Sequence, residues 1–200
     1  MNTSSSPDPS VGSFYLDDAF YERLVVFAND WQNRTGIECG ERPDLETRDD
    51  CAALISAEAR LADALQLESW LDCYAPECIY WIPASNPAAD PRLEITHEIH
   101  DRRRLEDRVA RIRTGFAYSM TPAVRSTHVL GPVEIWRGMA NEVRARTSFI
   151  IDTFRNDHHR VLSGWVGYSI VDIDGQWRIA IKQVNLIDAD QPQGNNSFFL

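Results

Sequence analysis

A change of hydrophobic period at Val124 constrains the fold of this chain more than any other feature. Beyond it, apolar and polar residues alternate in four long segments: VRSTHVLGPVEIW, NEVRARTSFIIDTF, RVLSGWVGYSIVDI and QWRIAIKQVNLID. Turn-forming residues separate them at 137–141, 156–157 and the Asp-Gly pair at 174–175. Alternation is typical of half-buried strands, and short turns join antiparallel neighbours. The second half of the chain is therefore predicted to form an antiparallel meander.

The segment ETRDDCAALISAEARLADAL predicts a helix, with Thr47 and Asp50 resembling a capping box at its start. Glu58 lies in the middle of its apolar stripe, and burying a lone carboxylate is too costly. Glu58 is therefore expected to have a cationic or hydrogen-bonded partner. The stripe consists of Cys51, Leu54, Ile55, Ala62 and Leu65.

Shorter segments complete the pattern between this helix and the meander. ESWLDCY reads as a short helix, CIYWIP as an aromatic strand and RLEITHEIH as a further strand. Helices followed by a run of strands predict an α+β domain, with the helices packed on one face of a curved antiparallel sheet. Residues 46–200 are assigned to this domain, and residues 1–45 to an N-terminal arm with a helix from Phe14 to Trp31.

Charge and composition exclude several functions. The formal net charge is −10, which argues against a nucleic-acid binder. No apolar run is long enough for a membrane span, the N-terminus lacks a secretory pattern, and the four cysteines form no C-x-x-C pair. A cytoplasmic location with free thiols is expected. The phosphate loop, nucleophile elbow and dinucleotide fingerprint are absent from the sequence.

The histidines give a weak signal for metal binding. His97 and His100 could share a metal on a helix, but the strand pattern of HEIH places them on opposite faces. His128, near Arg125 on a predicted strand, is expected to be an inward polar neighbour. No metal site is therefore expected.

Six arginines stand in DRRRLEDRVARIRTG, residues 101–115. Asp101 is a plausible N-cap and Gly115 a plausible residue just past the helix end. An apolar stripe, formed by Leu105, Val109, Ile112 and Phe116, is expected to face the domain. This stripe is flanked by Arg104, Arg108 and Arg111. These arginines could contact a neighbouring subunit, or they could form a solvated face with intrahelical pairs such as Arg103–Asp107 and Asp107–Arg111. Both interpretations stay open.

The segment DRRRLEDRVARIRTGFAYSMTPAVRSTHVLGPVEI resembles the signature region of the small (β) subunit of aromatic-ring-hydroxylating dioxygenases. AEARLADALQLESWL, CIYWIP and NLIDADQPQGNNSFFL agree with that family in the same order, so the resemblance covers roughly residues 47–200. One departure follows Pro122: the family usually has Arg-Thr after the proline, whereas here Ser126 precedes Thr127.

The resemblance implies a cystatin-like, nuclear-transport-factor-2-like cone. It implies a non-catalytic β subunit of an α3β3 oxygenase that hydroxylates an aromatic compound, with a benzoate- or salicylate-like acid as the expected substrate. Electrons would come from NAD(P)H through a separate reductase. The Rieske iron–sulfur cluster (2Fe–2S) and the mononuclear Fe(II) would belong to the catalytic α chain, with no cofactor here.

Subunit contacts are expected at the flanking arginines and at the apolar end of the chain, which a lone chain would have to expose. These candidates are Arg104, Arg108, Arg111, Phe198, Phe199 and Leu200.

The same fold also hosts stand-alone isomerases, dehydratases and cyclases, so an enzyme with its own pocket is the alternative. Glu58 or a histidine would then act as general base. Candidates for buried polar or pocket-lining residues are Glu58, Tyr80, His97, Arg125 and His128. A neighbouring gene for a protein with a Cys-x-His…Cys-x-x-His pattern would favour the dioxygenase.

Overall fold

The computed structural model describes residues 18–33, 40–118, 121–139, 141–194 and 198–200. The predicted arm and the first four residues of the predicted N-terminal helix lie outside these ranges. The helices and strands, in chain order, are α1 (Asp18–Asn33), α2 (Leu45–Asp63), α3 (Leu67–Leu71), β1 (Tyr74–Pro83), β2 (Thr96–Asp101), α4 (Arg102–Arg113), β3 (Arg125–Leu130), β4 (Glu134–Arg137), β5 (Glu142–Arg155), β6 (His158–Ile173) and β7 (Gln176–Leu186).

A seven-stranded sheet in the order β2-β1-β7-β6-β5-β3 forms the body of the domain, and β4 also pairs with β5. The predicted meander is confirmed: β5, β6 and β7 pair antiparallel in sequence order. Its first segment forms two strands, β3 and β4, which both pair with β5. Pro132 lies in the break, because proline has no N–H to donate to a ladder. The aromatic strand β1 joins this meander in parallel with β7.

Helices α2, α3 and α4 pack on one face of the sheet around one large apolar core. Cys51, Ile55 and Ala62 of the predicted stripe are buried in this core, with Leu54 and Leu65 at its edge. The helix begins earlier than the capping box suggested: Asp44 is the N-cap, and its Oδ1 accepts the Thr47 N–H at 2.8 Å. The predicted Thr47 cap is wrong because Asp44 lies three residues upstream, where its carboxylate reaches that N–H.

Helix α1 covers part of the opposite face, so the expectation of helices on one face only is wrong. Side chains alternate along β1: Tyr80 lies in the core beneath α2, whereas Trp81 joins a second apolar cluster with α1. Trp31 of α1 packs on this outer face at Gly167, where an added Cβ would lie 2.5 Å from the indole. Because Gly167 has no side chain, the Trp31 ring can approach the backbone of β6 closely, and this contact helps to position α1 on the sheet.

Candidate functional site

Glu58 lies at the centre of the core between α2 and the sheet. Its Oε1 accepts hydrogen bonds from the Lys182 ammonium at 2.8 Å, the Trp70 indole N–H at 2.7 Å and the Tyr74 hydroxyl at 2.7 Å. Its Oε2 accepts a second bond from Lys182 at 2.9 Å. The side chains of Glu58 and Lys182 are 1% and 3% exposed, so this is a fully buried ion pair. Sequence reasoning required a partner for Glu58 but did not identify Lys182.

Three buried tyrosines surround this ion pair. The Lys182 Nζ lies 5.6 Å from the ring centroid of Tyr80 and 5.9 Å from that of Tyr168. Burial raises the pKa values of Tyr74 and Tyr168 well above the usual range of a tyrosine, and the negative charge of Glu58 raises them further. Burial likewise raises the pKa of Tyr80. The three hydroxyls therefore remain protonated, and those of Tyr74 and Tyr80 donate hydrogen bonds.

The arrangement around Glu58 does not suit a general base. The Glu58 carboxylate already accepts four hydrogen bonds from Lys182, Trp70 and Tyr74, three at Oε1 and one at Oε2, and each of them stabilises its charged form. A reacting proton would also have to reach an atom with almost no solvent contact. The stand-alone enzyme interpretation therefore finds no support at this centre.

The segment Phe198–Leu200 packs at one end of this interior. It contacts Trp70, Tyr80 and Arg108, which together form what we call the cone mouth. Phe198, Phe199 and Leu200 are all buried, and the Tyr80 hydroxyl donates to the Leu200 carbonyl at 2.9 Å. The expectation that a lone chain would expose these three residues is wrong, because they are buried against the cone mouth of the same chain. Residues 195–197, just before this segment, lie outside the described residues.

The arginine-rich helix begins as predicted, since the Asp101 Oδ1 accepts the Arg104 N–H at 2.8 Å. It ends at Arg113, and Gly115 follows the C-cap in the left-handed region with φ 76°. The predicted stripe is therefore wrong at its last position. Phe116 is 68% exposed, because the chain has left the helix before reaching it.

The three flanking arginines have different environments. Arg108 is buried, and its Nη1 lies 2.5 Å from Glu98 Oε2 of the same chain. Arg108 thus has a carboxylate partner on β2 of its own chain. Arg104 and Arg111 are exposed, and Arg104 donates to the Ile99 carbonyl at 3.2 Å.

The predicted intrahelical pairs Arg103–Asp107 and Asp107–Arg111 are wrong, since neither occurs among the ion pairs of the described residues. Arg102 and Glu106 form an i,i+4 pair instead, at 2.7 Å. Arg102 is held in place for this pair because it also donates to the Leu71 and Tyr74 carbonyls.

The remaining candidates do not converge on the Glu58 centre. His97 lies on β2, as predicted for a strand, with its Nε2 2.7 Å from the Ala189 carbonyl oxygen. Arg125 is exposed, with its guanidinium 4.6 Å from the Phe154 ring, so its assignment to a buried site is wrong. Its position at the start of an edge strand leaves its long side chain on the surface. Groups of three or more potential metal ligands do not occur in the described part of the chain.

His128 belongs to a separate cluster that joins the end of α2 to β3. Its Nδ1 lies 2.7 Å from Asp63 Oδ1, and its backbone N–H donates to Asp63 Oδ2 at 2.8 Å. Ser126, the residue at which this sequence departs from the family pattern, also donates to Asp63 at 2.7 Å. Burial alone would raise the pKa of Asp63, but the hydrogen bonds from His128 and Ser126 outweigh it and lower the pKa. The cluster fixes helix to sheet, and sequence reasoning missed Asp63 because it is distant along the chain.

The described cysteines are poor metal ligands. Cys51, Cys73 and Cys78 are buried free thiols. Burial raises the pKa of Cys51 and Cys78 to about 12 and that of Cys73 to about 11. Since a metal binds the thiolate, these environments oppose ligation. Cys39 lies outside the described residues.

None of the helices in the described ranges has the length and hydrophobicity needed to cross a bilayer.

Comparison with known proteins identifies the family. The family described as "Ring hydroxylating beta subunit" matches residues 57–190, about two thirds of the chain. The chain belongs to this family. The β subunit is 34% identical over 125 residues to the 2-halobenzoate 1,2-dioxygenase small subunit of Burkholderia cepacia, covering 60% of this chain and 74% of that protein. It is 32% identical over 136 residues to the benzoate 1,2-dioxygenase subunit beta of Acinetobacter baylyi, covering 65% and 80%.

Solved structures confirm the cone fold. The benzoate 1,2-dioxygenase β subunit of Burkholderia mallei superimposes with a TM-score of 0.62 at 24% identity, over 80% of this chain and 99% of that one. A nuclear-transport-factor-2-like protein with a cystatin-like fold from Novosphingobium aromaticivorans gives 0.53 at 16% identity, over 72% and 84%. At these identities the likeness establishes the fold, and the β subunit thus has the predicted cystatin-like architecture.

Glu58→Ala is expected to destabilise the β subunit by about 3 kcal/mol, because it leaves the Lys182 charge buried without its partner. Urea unfolding followed by circular dichroism measures the loss. Removing the charge as well, in Glu58→Ala with Lys182→Met, is expected to cost less than Glu58→Ala alone. The exposed helix pair provides the control: Glu106→Ala, which breaks the pair with Arg102, is expected to cost below about 1 kcal/mol. Equal losses for Glu58→Ala and Glu106→Ala would contradict the burial of the pair.

The Asp63 cluster predicts a pH dependence of stability. A carboxyl group whose pKa is lower in the folded than in the unfolded state stabilises the fold above its unfolded pKa, and that contribution is lost as pH falls through the folded pKa. The stability difference between the wild type and Asp63→Asn is therefore expected to shrink as pH falls from 6 to 3, in urea unfolding at each pH. Asp107→Asn, on the exposed face of α4, is the matched control and is measured over the same pH range. A pH-independent difference for Asp63→Asn would contradict the prediction.

Proposed function

We propose that this β subunit is the structural component of a terminal oxygenase with α3β3 composition, in which the partner α chain carries the catalytic centre. The closed interior is the observation that supports this role most. The space that a pocket enzyme of this fold would use holds the buried Glu58–Lys182 pair and the buried residues Phe198–Leu200. A cone with a packed core offers its outer surfaces for assembly.

The Rieske cluster and the mononuclear iron belong to the α chain in this proposal. A Rieske centre requires two cysteine and two histidine ligands. The described cysteines are buried thiols with raised pKa, and His97 and His128 are engaged by Ala189 and Asp63. These residues do not fit such a cluster. In this proposal, electrons from NAD(P)H reach the α chain through a separate reductase and do not pass through this subunit.

The substrate is proposed to be an aromatic carboxylic acid. The similar small subunits belong to dioxygenases named for 2-halobenzoate, p-cumate, benzoate, toluate and anthranilate, each an aromatic acid. Contacts to this acid would be made by the α chain, because the β interior is filled. The β subunit would act on the reaction by holding the α chains in their assembled form.

Arg104 and Arg111 are the proposed contacts of α4 with the α chain. Both are exposed, and neither has a carboxylate partner among the described residues, although the chain as a whole is strongly acidic. Arginine is enriched in protein interfaces, where its planar fork pairs with carboxylates. The two side chains therefore suit an acidic surface of the catalytic subunit.

Co-expression with the catalytic chain from the same gene cluster tests the assembly. The purified complex is expected to be coloured and to have a native mass equal to three copies of each chain. Supplied with NAD(P)H, the separate reductase and O2, it is expected to hydroxylate benzoate or a substituted benzoate. The β subunit purified by itself is expected to be colourless and inactive on the same acids. Turnover by the β subunit alone would overturn the proposal, as would an α chain that assembles and works equally well without it.

Reversing two charges tests the proposed contact. Arg104→Glu with Arg111→Glu is expected to weaken α–β association at physiological salt by at least about tenfold, because two interfacial cations become like charges facing carboxylates. The matched control, Arg23→Glu with Arg42→Glu, changes the net charge equally at exposed positions away from α4. Analytical ultracentrifugation measures association and circular dichroism verifies the fold. Equal association for both double variants would remove α4 from the interface.

A further inference from the structure

Residues Phe198–Leu200 are bound by side chains of the cone and not by strand pairing. The Arg108 Nη2 donates to the Phe198 carbonyl at 2.7 Å. The Tyr80 hydroxyl accepts the Leu200 N–H and donates to the Leu200 carbonyl, both at 2.9 Å. Backbone–backbone hydrogen bonds to these three residues do not occur among the described residues. The segment therefore contacts the domain as a peptide ligand would.

The ring of Phe199 occupies an aromatic slot. Its centroid lies 4.2 Å from that of Trp70, and the Arg108 guanidinium carbon lies 4.3 Å from it. Phe199 is 3% exposed, so nearly all of its surface is removed from water. Burying a phenylalanine side chain contributes about 1.5–3 kcal/mol, and a guanidinium over an aromatic ring adds to that. Phe199 is thus the anchor of the segment.

The side chains that form this slot are held by groups other than the segment. Arg108 is paired with Glu98, and the Trp70 indole N–H is bonded to Glu58. Tyr80 is a central residue of β1. Because α3, β1 and α4 fix these side chains independently, the slot is preorganised, which lowers the cost of binding.

We propose that the cone mouth, formed by Trp70, Tyr80 and Arg108, is a peptide-binding site whose ligand is the chain's own Phe-Phe-Leu segment. The site recognises an aromatic anchor together with the main-chain groups on either side of it. The covalent connection supplies the ligand at an effective concentration in the millimolar range, so the site is filled within the chain. A chain without the segment presents an open site for the same sequence supplied in trans.

Deleting residues 198–200 and titrating the shortened chain with a synthetic peptide of residues 193–200 tests the site. Saturable one-to-one binding is expected in isothermal titration calorimetry, together with a rise in melting temperature. A peptide with alanine in place of Phe199 is expected to bind at least about tenfold more weakly, because it lacks the anchor ring. The full-length chain is expected to bind neither peptide, since its site is occupied.

A second variant decides the outcome if the shortened chain does not fold. Phe199→Ala in the full-length chain leaves the slot between Trp70 and Arg108 vacant, and toluene is expected to raise its melting temperature but not that of the wild type. Rescue of folding of the shortened chain by the peptide supports the site as well. A folded shortened chain that binds no peptide, or equal peptide binding by the full-length chain, would overturn the proposal. If the shortened chain is unfolded and the peptide does not rescue it, the Phe199→Ala variant decides. A melting temperature of this variant that toluene does not change would then overturn the proposal.

Discussion

The buried ion pair between Glu58 and Lys182 determines how the helical layer lies on the sheet. Removing two charges from water costs several kcal/mol per ion, which is offset only when geometry is good and the remaining hydrogen-bonding capacity is used. Here Trp70 and Tyr74 complete the bonding of the carboxylate. One side chain of α2 is thereby tied to α3, β1 and β7 at once. The position of Trp70, and through it the slot for Phe199, depends on this centre.

The interior of this cone is consequently a packed core with a polar centre. Tyr80 connects that centre to the mouth, since its ring lies beside Lys182 and its hydroxyl holds Leu200. Arg108 completes the mouth from α4. Family membership and the packed interior both fit the structural role proposed for this subunit.

Arginine has a particular use in this acidic protein. Guanidinium groups lie over aromatic rings at five places in the described part of the chain. Arg108 on Phe199 and Arg144 on Phe27 are buried, whereas Arg92, Arg125 and Arg146 lie on rings nearer the surface. A guanidinium is planar and weakly hydrated, so it can stack and donate hydrogen bonds in the same place. The arginines of this sequence therefore contribute to packing on both faces of the sheet as well as to the charge of the surface.

Periodicity and caps in the sequence determined the order of helices and strands, the antiparallel meander and the need of Glu58 for a partner, because these depend on residues close together in the chain. The motifs around α4 and β3 also determined the family. Three contacts depend on the packing of the folded chain: the pairing of Lys182 with Glu58, the pairing of Arg108 with Glu98 on β2, and the burial of Phe198–Leu200 in the domain. Two of these contacts join groups that are far apart in sequence: Glu58 and Lys182 are separated by 124 residues, and Arg108 and Phe198 by 90. Glu98 and Arg108 are only 10 residues apart, but they lie on a strand and on a helix whose relative placement depends on the fold. A stripe or a flanking position shows that a side chain needs a contact, but which contact it receives depends on how the sheet and helices bring distant segments together.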